Sequence, residues 1–419
     1  MPAVYPLTSK LPAAAGEAVA IVRELAGAGH VAFLAGGCVR DLLLGQAPHD
    51  YDVATDAPPV RVRELFHATR LVGAQFGVVL VRRRRRWIEV ATFRADGPYS
   101  DGRHPAEVRF TDAREDALRR DFTVNGMFLD PLENQVIDYV AGRADLEARL
   151  LRAIGQPAAR FEEDHLRLLR AVRLAARLDF AIEPETFTAI RSHAAKLGLV
   201  AAERVREELE KTLQHPNRRR AFGLMRDVGL LAYLWAGAAW HDEQVAAADA
   251  LLDRLPREVT FELAFAALVA DRDVREVHEI ARALAFSNEQ RETTAWLVEH
   301  QADLDEPEAL GLARLKRLMA GRAIGSLRQL AETRYAALPD GRQRASALAQ
   351  RLAGIRPDAV QPPPLVTGDD LAARRVAPGP IYKELLDVLY TRQLEETLSS
   401  RADALAALDG LLRARGMVE

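Results

Sequence analysis

Apolar residues recur at three- and four-residue steps from Ala14 to Ala28, which predicts an amphipathic helix closed by Gly27 and Gly29. The short apolar run Val31 to Ala35 then reads as a strand. Gly36 and Gly37 lead into a second helix that begins near Val39 and ends at Gly45 and Pro48. From His49 to Thr55 carboxylates alternate with apolar residues at period two, so a strand with Asp50 and Asp52 on one side is expected. Val78 to Val81 and Trp87 to Phe93 predict paired strands joined by Arg82 to Arg86. Further strand patterns cover Glu107 to Phe110, Thr123 to Leu129 and Val136 to Tyr139. The Gly-, Pro- and Asp-bearing stretch between Phe93 and Arg119 has little periodicity and predicts a mobile loop around one short strand.

Beyond Asp145 the strand patterns nearly stop. Amphipathic helices alternate with breaks at Gly155 to Pro157, Pro184, His215 to Pro216, Pro256 and Pro307. The stretch from Gly354 to Gly368, with Pro357 and Pro362 to Pro364, predicts a linker into a last helical segment. No fixed-period repeat is present. The expected architecture is a mixed sheet-and-helix head followed by a helical remainder, an α+β fold.

Composition narrows the class. A chain of 419 residues exceeds one compact core, and 49% hydrophobic with 28% charged residues excludes a disordered or fibrous chain. The net charge of −3 conceals 57 basic side chains, so the total neither demands nor forbids a nucleic-acid partner. Cys38 is the sole cysteine, which excludes an intramolecular disulfide and a thiolate zinc site. The N-terminus lacks a basic-then-apolar signal pattern, so a cytoplasmic location is expected. Gly229 to Trp240, the most apolar stretch, is about half the roughly 20 residues a membrane helix needs and reads as a buried core helix.

Phosphoryl transfer to a hydroxyl needs cations that neutralise a triphosphate and a deprotonated hydroxyl in line with the leaving group. Two carboxylates on one strand face, sharing two magnesium ions, supply both, and Asp50 and Asp52 fit that demand. An Asp-x-Asp alternation taken alone is more often an exposed strand face. Gly36 and Gly37 sit where a strand passes into a helix, so backbone N–H groups can approach a triphosphate; an ordinary glycine turn is the plainer reading. Arg40, one turn further on, is placed for a bidentate phosphate contact, with Asp41 beside it as a positioning group. Glu89 is either a third carboxylate at the metals or a solvated strand position.

Read together, Gly36-Gly37-Cys38-Val39-Arg40-Asp41 and Asp50-Tyr51-Asp52-Val53-Ala54-Thr55 resemble the active-site signature of polymerase-β-like nucleotidyltransferases. Arg119-Arg120-Asp121-Phe122-Thr123-Val124-Asn125 and Glu163-Asp164-His165-Leu166-Arg167 follow in the order of the class II branch, which contains bacterial CCA-adding enzymes and poly(A) polymerases. The resemblance covers the first half of the chain. It implies a catalytic head over 1–145, a nucleotide-selecting neck over 146–212, a helical body over 213–355 and a tRNA-binding tail over 365–419. Asp50, Asp52 and Glu89 are then the catalytic acids, the first two holding two Mg2+ ions. Gly36, Gly37, Arg40, Arg120, Asn125, Glu163, Asp164, Arg167, Arg170 and Arg173 are the expected nucleotide-binding residues.

The selecting helix is expected to open with Glu163, Asp164 and Arg167, and its logic is hydrogen bonding. A carboxylate accepts from the exocyclic amine of cytosine or adenine, and a guanidinium donates to the ring acceptor beside it; uracil and guanine present a carbonyl instead. Steps of three drift about 60° around a helix, so Arg170 and Arg173 fall to triphosphate or helix-stabilising roles. Glu203-Arg204 resembles a later family motif that braces the neck. The family usually has Ala at Gly126 and Phe at Leu174, changes that concern packing.

The implied activity is addition of CCA to a tRNA 3′ end from CTP and ATP, with no obligate protein partner and no membrane. Tyr99, Asp101, Gly102, Arg103, His104 and Pro105 resemble the flexible loop of complete CCA enzymes. Gly73-Ala74-Gln75-Phe76-Gly77-Val78 also resembles the CCA-adding side, while Val366 to Leu371 and Pro378-Gly379-Pro380 resemble the tail of bacterial tRNA nucleotidyltransferases, which does not separate CCA-adding from A-adding members. A-only addition and poly(A) synthesis remain alternatives. Other classes weighed are a non-catalytic RNA-binding protein and a His-Asp phosphohydrolase built on His241-Asp242. Arg82 to Arg86 reads equally as a phosphate contact or a solvated hairpin tip, and Arg218 to Arg220 are candidate RNA contacts.

Overall fold

The computed structural model describes residues 1–8, 10–72, 77–97 and 108–417. The expected loop residues Tyr99 to Pro105 and the stretch Gly73 to Phe76 lie outside the described residues. The chain folds as two compact units, 1–241 with 283–285, and 242–282 with 286–419.

The first unit is organised by one mixed sheet. Its strands are β1 (Ala3–Pro6), β2 (Ala32–Ala35), β3 (Asp52–Thr55), β4 (Thr69–Leu71), β5 (Val78–Arg83) and β6 (Arg86–Thr92). A separate two-stranded ribbon pairs β7 (Arg94–Asp96) with β8 (Val108–Phe110). With β9 (Met127–Asp130) and β10 (Gln135–Asp138), the main sheet runs in the order β1-β10-β9-β2-β3-β6-β5-β4. β3 lies antiparallel to β2 and parallel to β6. Leu34, Val53, Val79, Val90 and Leu129 are buried along it. Phe93 and Phe128 meet edge to face at 5.8 Å beside Ala35 and Ala54, beneath the loops that carry the chemistry.

The period-two reading of His49 to Thr55 overshoots. The strand begins at Asp52 because its partner β2 ends opposite it at Ala35, where Gly36 turns the chain away with φ +76°. Asp50 therefore lies outside the strand. Thr123 to Leu129 also divides: Thr123–Asn125 form a 3-10 turn whose Thr123 hydroxyl donates to buried Asp145 at 2.7 Å, and β9 starts only at Met127. The arginine run is mostly strand rather than loop, with Arg84 at φ +48° in the turn. Gly229 to Trp240 is no core helix. A left-handed Gly229 leads into a 3-10 turn, Leu230–Tyr233, and Trp240 packs on Phe222 and Trp235, each at 5.6 Å.

After the sheet the first unit continues as helices, among them Pro157–Glu163, Arg167–Leu178, Ala202–Leu213 and Arg218–Asp227. Leu168, Leu169, Val172, Leu174 and Ala176 are buried on the Arg167–Leu178 helix. Arg218 is buried too, its Nε donating to the Leu213 carbonyl at 2.7 Å, and Arg220 donates to the Phe180 carbonyl at 2.7 Å and pairs with Asp179. Arg218 thus braces the fold, although it was a candidate RNA contact. The second unit is built of helices among its described residues; Leu371, Leu385, Leu389, Leu408 and Leu412 form the core of its last three. Asp242 stands in the first turn of the helix Asp242–Arg254, where an acid complements the helix dipole.

Gly126 shows why this chain departs from alanine there. A Cβ at this position would lie 2.6 Å from Val140 Cγ2 and 3.1 Å from Ile154 Cδ1, so Val140 already fills the space. Gly126→Ala should destabilise the fold by about 1–3 kcal/mol in urea unfolding. Adding Val140→Ala should recover part of that loss; a double mutant no better than the sum of the singles would contradict the packing account.

Candidate active site

Where β2 gives way to the helix Gly37–Leu43, Gly36 and Gly37 form one wall of a cavity of about 400 Å³. A Cβ on Gly36 would sit 3.0 Å from Arg120 Nη1, so the glycine lets that guanidinium lie against the turn. Asp52 and Glu89 form another wall. Val53 is paired with Val90, so the preceding residues of these parallel strands bring the two carboxylates side by side.

Asp52 keeps contact with solvent but stands among many protein atoms. Burial, then the charges of Glu89 and Asp50, push its carboxyl up to about 6. Burial likewise raises Glu89, opposed by Arg120 and Arg94. Asp50 is exposed, and its Oδ2 lies 2.8 Å from His49 Nδ1. Among the described residues no three His, Cys, Asp or Glu side chains are gathered in a metal-holding arrangement. What the site does offer is buried oxygen donors whose upward shifts Arg120 and Arg94 only partly offset, and such a set suits a hard divalent cation. Asp50 would join Asp52 by turning away from His49.

Arginines line the opposite side, each fixed by a carboxylate. Asp116, almost fully buried, accepts from Arg119 Nε at 2.8 Å and from Arg120 Nη2 at 2.9 Å. Arg120 also lies over the Phe128 ring at 5.0 Å. Asp121 accepts from Arg170 Nε at 3.0 Å and Nη2 at 2.5 Å, and from Asn125 Nδ2 at 3.3 Å. Glu208 holds Arg173 at 2.5 Å. Burial alone would raise the Asp116 and Asp121 carboxyls, but the arginines override it: Asp116 is lowered, and Asp121 falls to about 2.

Glu163 ends the helix Pro157–Glu163 and Arg167 starts the next, so Asp164 stands in the break between them rather than inside one helix. Its carboxylate accepts from the Leu166 N–H at 3.1 Å and from both terminal nitrogens of Arg204, at 3.1 and 2.9 Å. Three of the roughly four lone-pair positions of a carboxylate are thereby used, and about one is left to accept from a ligand. Arg167 is held by Glu163 at 2.5 Å and donates to the Arg160 carbonyl at 3.1 Å.

The structure thus brings Gly36, Gly37, Asp52, Glu89, Arg120, Asn125, Asp164, Arg167 and Arg170 to one cavity. Asp50, Arg40, Glu163 and Arg173 do not line it. Buried Arg40 points back into the head, where it donates to Asp41 at 2.6 Å and to Asn125 Oδ1 at 2.6 Å, so it orients Asn125 instead of facing the cavity. Glu163 and Arg173 likewise hold neighbours. Residues without an assigned part in the sequence reading are Asp116, Asp121 and Glu208. Asp116 carries a local signal, three and four residues before Arg119 and Arg120 on a helix surface. Glu208 carries none, since its partner Arg173 is 35 residues away.

A mixed-sheet head with paired acids, a glycine turn and fixed arginines around one cavity defines a nucleotidyltransferase. Residues 32–152 match the poly A polymerase head domain, and 179–238 match the probable RNA and SrmB-binding site of polymerase A. The chain is 35% identical to the CCA-adding enzyme of Geobacillus stearothermophilus over 77% of this chain and 83% of that protein. It is 38% identical to the CCA-adding enzyme of Streptococcus suis over 70% and 72% of the two chains. The crystal structure of the Bacillus stearothermophilus CCA-adding enzyme in complex with CTP superposes with a TM-score of 0.82 at 31% identity, covering 97% of this chain and 99% of the other. The chain belongs to the bacterial class II CCA-adding enzyme and poly(A) polymerase family, whose members generally use a divalent metal.

Because Asp121 is held below its unfolded value, its pairing stabilises the fold above the ordinary carboxylate pKa near 4 and is lost as pH falls toward about 2. Asp121→Asn should therefore unfold more readily at neutral pH and show a flatter loss of stability between pH 4 and 2. Unchanged acid sensitivity in a urea series would contradict this.

Proposed function

We infer that the chain is a tRNA nucleotidyltransferase that adds CCA to the tRNA 3′ end from CTP and ATP, without a nucleic-acid template and with release of pyrophosphate. The observation that carries this reading is one cavity lined by both Asp52 and Glu89 and by Asp164, Arg167 and Arg204. Its workplace is the cytoplasm, where tRNA and nucleotides meet; no helix among the described residues is long and apolar enough to cross a membrane. The catalytic head is 1–145, the neck 146–212, the body 213–355 and the tRNA-binding tail 365–419.

Asp50 and Asp52, with Glu89 beside them, would hold two Mg2+ ions. Metal bound there supplies charge neutralisation for the triphosphate and lowers the pKa of the attacking 3′ hydroxyl. The protein's own part is positioning. Gly36 and Gly37 let phosphates approach the backbone, and Arg120 and Arg170, fixed by Asp116 and Asp121, present their remaining N–H donors to phosphate oxygens. Asn125 is oriented for the sugar by Arg40 and Asp121. Asp164 accepts from the exocyclic amine of cytosine or adenine, and Arg167 donates to the adjoining ring nitrogen. Uracil or guanine would set a carbonyl against the Asp164 carboxylate, leaving both acceptors unpaired.

Three tRNAs, ending at the discriminator base, after one C and after CC, should be extended to a common CCA end when CTP and ATP are supplied together. Extension of the CC-ended tRNA alone would point to A-only addition, and a long adenosine tail to poly(A) synthesis. Asp52→Ala should abolish extension while tRNA still binds; robust extension by this variant would refute the assignment. Arg204→Ala frees Asp164 to rotate, so UTP incorporation relative to CTP should rise by roughly tenfold, on the scale of one buried hydrogen bond. Unaltered base choice would remove Arg204 from the selecting apparatus.

A further inference from the structure

A helix leaves its last carbonyls without partners of its own, and the helix Ala113–Leu118 ends immediately before Arg119 and Arg120. Guanidiniums from later in the chain take those carbonyls. Arg160 Nη2 donates to the Leu118 carbonyl, and Arg160 Nη1 donates to the Arg119 carbonyl at 3.4 Å. Arg160 Nε donates to the Ile154 carbonyl at 2.9 Å, and the Ile154 N–H donates in turn to the Asp121 carbonyl at 3.1 Å. One side chain thereby fastens the helix Pro157–Glu163 to both ends of the stretch from Arg119 to Asp121. Only 17% of that side chain is exposed, and Arg160 does not line the first cavity.

Its remaining bond bears on a neighbour that does line the cavity. Arg160 Nη1 also donates to Glu163 Oε2 at 2.8 Å, and Arg167 Nη1 donates to the same oxygen at 2.5 Å. Arg167 Nη2 shares the Arg119 carbonyl as well, at 3.4 Å. Two like charges therefore use the same two acceptors, and Arg160 commits nearly all of its donors to the protein. Repulsion between guanidiniums in a part-buried place is screened less than in water. Arg160, tied at Leu118 and Ile154, holds its ground, while Arg167 has the cavity in front of it. Without Arg160, Arg167 would inherit Glu163 Oε2 and the Arg119 carbonyl whole and settle back onto them.

We propose that Arg160 is a positioning residue for base choice: by sharing Glu163 and the Arg119 carbonyl with Arg167, it holds that guanidinium forward toward the base and touches no ligand itself. The inference rests on the reading of Arg167 as donor to the ring nitrogen and adds what sets its place. Cytosine offers an acceptor at that ring nitrogen, whereas uracil carries an N–H there, so a guanidinium held forward attracts the first and opposes the second. Letting it fall back weakens the use of CTP and removes an obstacle to UTP. The same residue thus joins the stretch that carries Arg120 to the break that carries Asp164, phosphate side to base side.

The test uses the full-length protein with Mg2+ and a tRNA ending in one C, and reads kcat/KM for CTP against that for UTP. Arg160→Met keeps the packing of the stem and removes the charge; it should lower the CTP-to-UTP ratio by roughly tenfold, on the scale of one buried charge-assisted hydrogen bond. Arg160→Lys keeps the charge without the fork and should recover part of the ratio. A residue that only braces the fold would lower both constants by one factor and leave their ratio alone. The inference is overturned if Arg160→Met leaves the ratio within about twofold of wild type, or if Arg160→Lys falls as far as Arg160→Met. Should Arg160→Met fail to fold, Arg160→Gln, which keeps a donor for the helix-end carbonyls but no charge, decides by the same ratio. Arg167→Ala is the control. Intact base choice in that variant would sink the selecting role of Arg167 itself, whereas a lowered ratio there beside an unchanged one in Arg160→Met sinks only the positioning role.

Discussion

Guanidinium groups around the first cavity are held by carboxylates before any ligand arrives. Asp116 fixes Arg119 and Arg120, Asp121 fixes Arg170, Glu163 fixes Arg167, and Arg204 in turn fixes Asp164. Removing one partner of such a part-buried pair leaves the other without its counter-charge in a partly desolvated place, which is destabilising. It ties the 3-10 turn after Asp121, the break at Asp164 and the helix Ala202–Leu213 to the same cavity. A flexible arginine would spend side-chain entropy on reaching a phosphate; these have already lost it on folding.

The same pairing limits what the protein supplies alone. Five arginines face four carboxylates around the first cavity, leaving little net charge against a triphosphate. Asp52, raised by burial and by the charges of Glu89 and Asp50, and Glu89, raised by burial, supply the complementary demand for cations. Metal and nucleotide are thus each underprovided by the protein and provided for by the other. On the proposed function, one cavity would in this way hold acids and a polyanion without excluding either.

Much of this was legible in the sequence because it is local. The Gly36-Gly37 turn, the Asp52 strand and the order of the Arg120 and Asp164 motifs are short-range patterns, and the succession of a mixed sheet by helices follows from periodicity. Strand ends were less legible, since the limit of β3 is set by where β2 stops, 17 residues earlier in the chain. Arg40 misled for a related reason: spacing gives its distance from the glycines but not its partner Asn125, 85 residues on. Arg204 was read as a brace, and it is one, but that what it braces is the Asp164 carboxylate depends on a 40-residue contact that no local pattern encodes.

The central claim is that protein side chains choose the base by its exocyclic amine, through the one acceptor position left on Asp164. Its most direct measurement compares kcat/KM for CTP with that for the triphosphate of pyrimidin-2-one riboside, which is cytidine without the amine, on a tRNA ending in one C. The account predicts a loss of roughly 10- to 100-fold for the analogue, which Asp164→Ala largely erases. Equal use of CTP and the amine-less analogue by the wild-type protein would contradict it.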